Sequence, residues 1–166
     1  MLRRYLLPAL LLLLFTVLQT TLVPQLGIVL RQIDLSLCLT IAYALLLGPT
    51  KGAAIGICAG LLRGMIIGPA LGFYAVPLYI VGYCVGYFSR VVYRDTVFVP
   101  FIIGLVTSGS YWILVTLITG GFYGFWLNGQ FWLSFPATVL VNGVVTAVIH
   151  ALLFGQIDRE VAGGRG

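Results

Sequence analysis

The sequence predicts an all-α polytopic membrane protein with six transmembrane helices and both termini in the cytoplasm. Three observations carry that prediction. Only 8% of the 166 residues are charged, while 61% are hydrophobic before the 21 glycines are added. A soluble domain is about a quarter charged, and a particle of this composition has too little polar surface to meet water. The apolar residues also fall into separate runs, most of them close to the roughly 20 residues needed to cross a hydrocarbon core of ~30 Å. Finally, the basic residues lie between those runs with a strong bias to one side, as membrane topology demands.

The first segment is Tyr5–Val23, with an unbroken leucine run from Leu10 to Leu14. Arg3 and Arg4 ahead of it also fit a signal peptide. However, no small-residue cleavage site follows Val17, and Gln19, Thr20 and Thr21 lead into a turn at Pro24, so a retained helix is expected. The second segment, Asp34–Leu47, is short, and the Gly48-Pro49-Thr50 turn joins it to the third, Gly52–Ile67. The fourth is Leu71–Phe88, followed by a solvated turn with Arg90, Arg94 and Asp95. The fifth is Val97–Thr119 and the sixth Phe131–Phe154, with Asp158, Arg159 and Glu160 in a solvated tail. Between these two, Gly120–Gln130 is uncharged and rich in glycine and aromatics. It reads either as an aromatic belt at the headgroups or as a flexible surface gripping a partner or lipid. Nothing outside the segments is long enough to fold alone, so residues 1–166 form a single membrane domain.

With the N-terminus inside, Arg3, Arg4, Lys51, Arg90, Arg94, Arg159 and Arg165 all face the cytoplasm. Only Arg31 and Arg63 fall on the other side. The net charge of +5 is too scattered for the clustered basic face that nucleic acid requires. Cys38, Cys58 and Cys84 lie in apolar runs without CxxC or Cys/His spacing and read as small membrane-buried hydrophobes.

The strongest pattern is a glycine ladder: Gly52, Gly56, Gly60, Gly64 and Gly68, with Gly72 continuing the spacing past Pro69. Lipid gives helices no hydrophobic drive to associate, so small residues hold them together through close backbone approach. A stripe of period four turns about 40° per step around a straight helix. The expectation is therefore a central third helix that touches two or more neighbours. Gly82 and Gly86 give the fourth helix a shorter version, and Gly143 with Ala147 does so on the sixth. The ladder serves either packing within the chain or a groove for another protein's helix or a ligand.

Ionisable residues at bilayer depth are candidate functional sites. Asp34 opens the second helix thirteen residues before Leu47, and thirteen residues up from Lys51 is Gly64, beside Arg63. At equal rise per residue the two sit at nearly equal height on antiparallel neighbours. An Asp34–Arg63 ion pair near the outer leaflet is predicted, against the alternative that Arg63 snorkels alone. Asn142, midway in the sixth helix, is expected to make an interhelical hydrogen bond, and His150 to lie at the cytoplasmic interface. The sequence offers no paired intramembrane carboxylates, Ser/His/Asp set, metal-ligand cluster or phosphate-cradling motif. Neither an enzyme nor a bound cofactor or metal is expected.

The organisation resembles MreD, the small polytopic subunit of the bacterial rod-shape machinery. The resemblance runs from Arg3 to Phe154. It rests on Asp34-Leu35-Ser36-Leu37 opening a short second helix, the Gly48-Pro49-Thr50-Lys51 turn, and the ladder from Gly52 to Gly64. Gly68 to Ala75 and Gly82-Tyr83-Cys84-Val85-Gly86 complete it. Ile33 stands where the family often has Pro, and Arg63 where it often has an acidic residue. The resemblance implies a non-catalytic scaffold in the bacterial inner membrane. Such a scaffold binds the single-span protein MreC and helps couple MreB filaments to the RodA glycosyltransferase and its class B penicillin-binding protein. It also implies a fold similar to the substrate-binding (S) subunits of energy-coupling-factor vitamin transporters, which makes an S subunit the rival reading. S subunits usually present small residues on the first helix, whereas Tyr5–Leu18 has only Ala9 beside Pro8 and is otherwise bulky. A lipid-handling protein using a cavity between helices is a third possibility.

Overall fold

The computed structural model describes residues 3–21, 25, 33–67, 71–89, 98–123 and 129–163. Among them the chain is all-helical: α1 (Arg3–Thr21), α2 (Leu35–Leu47), α3 (Pro49–Ile67), α4 (Leu71–Phe88), α5 (Phe98–Tyr123) and α6 (Gly129–Gly163). Phe98–Ile118 in α5 and Phe135–Gly155 in α6 are long and apolar enough to cross a membrane. Leu10–Thr21, Leu35–Leu47 and Gly72–Phe88 are shorter apolar stretches. In α3 the glycines, Lys51 and Arg63 dilute an otherwise sufficient length.

Several boundaries depart from the sequence reading for local reasons. α2 ends where Gly48 adopts φ 86°, a left-handed conformation open to glycine, and its N–H donates to the Ala44 carbonyl at 3.0 Å. Pro49 then takes the first position of α3, where no N–H is needed. Gly52 N donates to the Gly48 carbonyl at 2.9 Å, so α3 starts three residues before the expected Gly52 and Lys51 sits in its first turn. α5 and α6 outrun their apolar segments. Residues 120–123 and 129–130 of the expected loop are helical, and the expected tail at Asp158–Glu160 continues α6. Helical hydrogen bonding is internal to the segment and persists where side chains turn polar. Gly68, Arg31, the Arg90–Asp95 turn, residues 124–128 and Arg165 lie outside the described residues.

α2 is the hub. It touches each of the other five helices, and Ser36 to Leu45 are buried without interruption. The others follow one another around it in the order α1, α3, α4, α5, α6. Among the described residues no contact joins α1 to α6. The third helix touches two or more neighbours as expected, α1, α2 and α4 among the described residues, but the centre of the bundle is α2. A helix apolar on every side is one that is buried on every side, and α2 meets that description better than the ladder helix does. The core forms around Leu37, Leu39 and Ile41, with Leu12, Leu78, Tyr111 and Ile149 closing on them.

The surface reverses the arrangement of a soluble protein. Leu10, Leu13, Val17, Ile80, Val106, Leu117, Leu140 and Leu152 point outward. Thr16, Asp34, Ser36, Thr40, Ser108, Asn142 and Thr146 are buried.

Candidate functional site

Two features of the bundle are built from the residues singled out by sequence. The first is the α3–α4 seam. A methyl group at Gly52 would lie 2.6 Å from both Ala44 Cβ on α2 and the Gly82 carbonyl oxygen on α4. Gly56 lies on the Leu78 carbonyl, Gly60 on Ala75, and Gly82 on the Gly52 carbonyl. Gly86 meets Pro49, whose Cα would stand 2.5 Å from an added Cβ. The ladder meets two neighbours at Gly52, as the sequence reading expected, and one antiparallel partner, α4, then follows it to Gly60. The reason is that α4 carries its own row of period four (Gly86, Gly82, Leu78 and, one residue early, Ala75). Two such rows, each inclined to its helix axis, lie along one another when the helices cross. At these positions the ladder is filled by the chain's own backbone. Gly64 is buried as well, whereas Gly72 has nothing within 4 Å. A second close approach joins α5 and α6, where a Cβ at Gly104 would meet Gly143 Cα at 3.1 Å.

The second feature is a polar cluster at the N-terminal end of α2. Asp34 caps the helix: its Oδ1 accepts from Leu37 N at 3.0 Å, satisfying one of the orphan donors of the first turn. Its Oδ2 accepts from Arg63 on α3, so the two residues form an ion pair, with Asp34 only 1% and Arg63 13% exposed. The Arg63 guanidinium also stands 4.5 Å from the centre of the Tyr74 ring on α4, a cation–π distance. Asn142 on α6 ties three helices together. Its Oδ1 accepts from Asp34 N at 2.9 Å, its Nδ2 donates to Ser108 Oγ on α5 at 2.9 Å, and its carbonyl accepts from Cys38 Sγ at 3.4 Å.

Gln19, near the end of α1, completes the cap. Its Oε1 accepts from Leu35 N at 2.5 Å and Ser36 N at 3.4 Å, and its Nε2 donates to the Ile33 carbonyl at 2.9 Å. Sequence reading passed over Gln19, Tyr74, Ser108 and Tyr111. The available signal was a polar side chain inside or at the end of an apolar run, which singles out Gln19 but is weak for Ser and Tyr.

The cluster lies level with the middle of α5. Asn142 links Asp34 to Ser108, which is the midpoint of Phe98–Ile118. α2 has 13 residues and rises only ~20 Å from the Gly48–Pro49 turn. Equal rise per residue on antiparallel neighbours is what brings Asp34 level with Arg63. His150 is buried in the bundle, stacked on Phe154 at 6.1 Å. Cys38 is buried inside the bundle, Cys58 and Cys84 lie on its outer face, and all three are free. Among the described residues no three His, Cys, Asp or Glu side chains gather as metal ligands.

What this arrangement can do chemically is bind and hold. It fixes one charge pair and a set of directional hydrogen bonds inside an apolar shell, and it offers broad apolar faces outside. Comparison with family models, with curated proteins and with solved structures returns no match.

Proposed function

We propose that this chain is a non-catalytic scaffold of the bacterial inner membrane, of the MreD kind. Its six helical segments sit N-in and C-in, and its outward faces receive the transmembrane helix of a single-span partner of the MreC type. Through that partner it helps couple cytoplasmic MreB filaments to the RodA glycosyltransferase and its class B penicillin-binding protein. One observation carries the reading: α4 is two-faced. Its small-residue row is locked against α3, and its other side presents Val76, Tyr79, Ile80, Tyr83 and Tyr87 outward. Tyr79 and Tyr83 stack at 6.4 Å. Large aromatic side chains on a rigid, glycine-welded support suit an interface, because they offer much contact area for little lost freedom.

The test is mass spectrometry of what co-purifies with the tagged protein from its native membrane in mild detergent. A stoichiometric single-span protein with a large periplasmic part is the expected result, and loss of that protein on Tyr83→Ala would place the contact on α4. A second reading, an S subunit that captures a small molecule, draws on the buried donors beside Asp34. Recovery with a paired ATPase module in place of the single-span protein would overturn the scaffold reading in its favour.

A further inference from the structure

Outward hydroxyls elsewhere in the bundle fold back onto their own helices. Thr21 on α1 donates to the Val17 carbonyl at 2.6 Å, and Ser110 on α5 donates to the Val106 carbonyl at 2.9 Å. Thr116, half-buried on α5, does the same with the Trp112 carbonyl at 2.8 Å. Such back-bonding is open to short side chains. Tyr79 and Tyr83, both exposed on α4, carry their hydroxyls at the far end of a rigid ring, out of reach of it. Among the described residues neither phenol has a hydrogen-bond partner, and the rings stack at 6.4 Å, side by side.

Depth makes these hydroxyls conspicuous. Tyr79 stands midway along the 18 residues of α4, about 12 Å from the nearer end. Tyr83 lies about 8 Å before Phe88. Helical side chains lean toward the N-terminus of their helix, so its phenol leads back to the middle of α4 and away from the Phe88 end. Tyr87, in the last turn, stands where an aromatic belt meets the headgroups. With α4 in a bilayer, the Tyr79 and Tyr83 hydroxyls face the hydrocarbon, where an unpaired polar group is strongly disfavoured.

Whatever covers this face must therefore supply hydrogen-bonding groups. Acyl chains have none, and helical backbone carbonyls are already engaged. A second copy of this chain presents outward hydroxyls that are turned onto their own backbones. We propose that Tyr79 and Tyr83 hydrogen-bond to an uncharged polar side chain, Ser, Thr, Asn or Gln, midway along the transmembrane helix of a single-span partner. On the scaffold reading, on which this rests, an all-apolar helix leaves both hydroxyls unpaired and is rejected.

The experiment places the photo-crosslinking residue p-benzoylphenylalanine at Ile80, exposed beside the two tyrosines, in the full-length protein in its native membrane. The adduct is then sequenced. Attachment is expected in an apolar stretch of about 20 residues, within one helical turn of a Ser, Thr, Asn or Gln. Tyr79→Phe/Tyr83→Phe, which removes only the hydroxyls, is expected to lower the yield of adduct about threefold, the effect of one interhelical hydrogen bond in a membrane. Replacing the partner's polar residue by Leu is expected to cause the same loss, with no further loss when the changes are combined. Size-exclusion chromatography establishes that the double variant is folded, and the single variants Tyr79→Phe and Tyr83→Phe serve in its place if it is not.

Adducts with lipid alone or with a second copy, attachment to a segment without a polar residue, or a yield unmoved by loss of the hydroxyls each overturn the proposal. A single-span protein that co-purifies while Ile80 captures only lipid overturns it and leaves the scaffold standing. Absence of any single-span protein from the purified material overturns both.

Discussion

Asp34 does three things at once: it caps α2 with Oδ1, neutralises Arg63 with Oδ2, and offers its backbone N–H to Asn142. Each interaction is ordinary, but their convergence on one residue 1% exposed makes removal expensive. Breaking a buried pair by deleting one partner typically costs about 3–5 kcal/mol, because the other charge stays buried and uncompensated. Asp34→Asn keeps the cap and loses the charge, so it isolates this effect. The expected outcome is destabilisation of that order in a detergent unfolding titration, with Asp34→Asn/Arg63→Leu more stable than Asp34→Asn alone. If the double variant is no better, the pair is not coupled as described.

Asn142→Leu removes two interhelical bonds and orphans the Asp34 N–H. Interhelical bonds in membranes average about 0.6 kcal/mol and an orphaned buried donor costs about 1–3 kcal/mol. A loss near 2 kcal/mol in the same titration is the expectation. At this scale the sequence was legible where arithmetic applied. Rise per residue on antiparallel neighbours brings Asp34 level with Arg63. It was illegible for Gln19, Tyr74 and Tyr111, whose roles depend on which way a helix is rotated about its axis.

The elements show where periodicity informs and where it misleads. Gly52, Gly56 and Gly60 announced close packing, and the structure supplies it through α4. Two or more neighbours were read correctly, but the share taken by α4 was not, because the drift of a four-residue stripe was measured against a straight, parallel neighbour. A crossing partner with its own row absorbs that drift. The contrast between Gly56 and Gly72 gives a test internal to the ladder. A side chain at Gly56 runs into the Leu78 backbone, whereas Gly72 has open space around it. Gly56→Leu is expected to lower the yield of folded, monodisperse protein severalfold on size-exclusion chromatography, and Gly72→Ala to leave it unchanged. Similar losses from both would mean that the spacing matters for something other than the α3–α4 contact. Helix ends were the least legible, because hydropathy marks where side chains stop being apolar and says little about where backbone hydrogen bonding stops.

For the whole molecule, the arrangement of five helices in succession around α2 makes a prediction about dynamics. Backbone amides exchange with solvent through local opening, and the segment enclosed on all sides opens last. Among the described helices, the amides from Leu39 to Leu45 are therefore expected to exchange slowest, slower than those of the more apolar-faced α5. α1, which touches only α2 and α3, should exchange fastest. Hydrogen–deuterium exchange on the detergent-solubilised protein checks the order, and Gln19→Ala should quicken α1 selectively by releasing its grip on Ile33 and Leu35. Composition foretold an all-helical bundle. It did not foretell the hub, because the thirteen residues of α2 look from sequence like a poor transmembrane span rather than a central post.

The Asp34–Asn142 bond spans 108 positions of the chain, and this long separation bears on how the protein is made. α2 emerges from the ribosome early, too short to settle in the bilayer as an independent hydrophobic plug and opened by an acidic residue. The N–H of its capping residue, Asp34, is satisfied by a side chain of α6. Up to the moment Asn142 is synthesised, the start of α2 has Gln19 and Arg63 as company but an unfinished cap. A chain stopped short of α6 is therefore expected to leave the Asp34 N–H and Ser108 without Asn142 and to be cleaved faster in limited proteolysis than the full bundle.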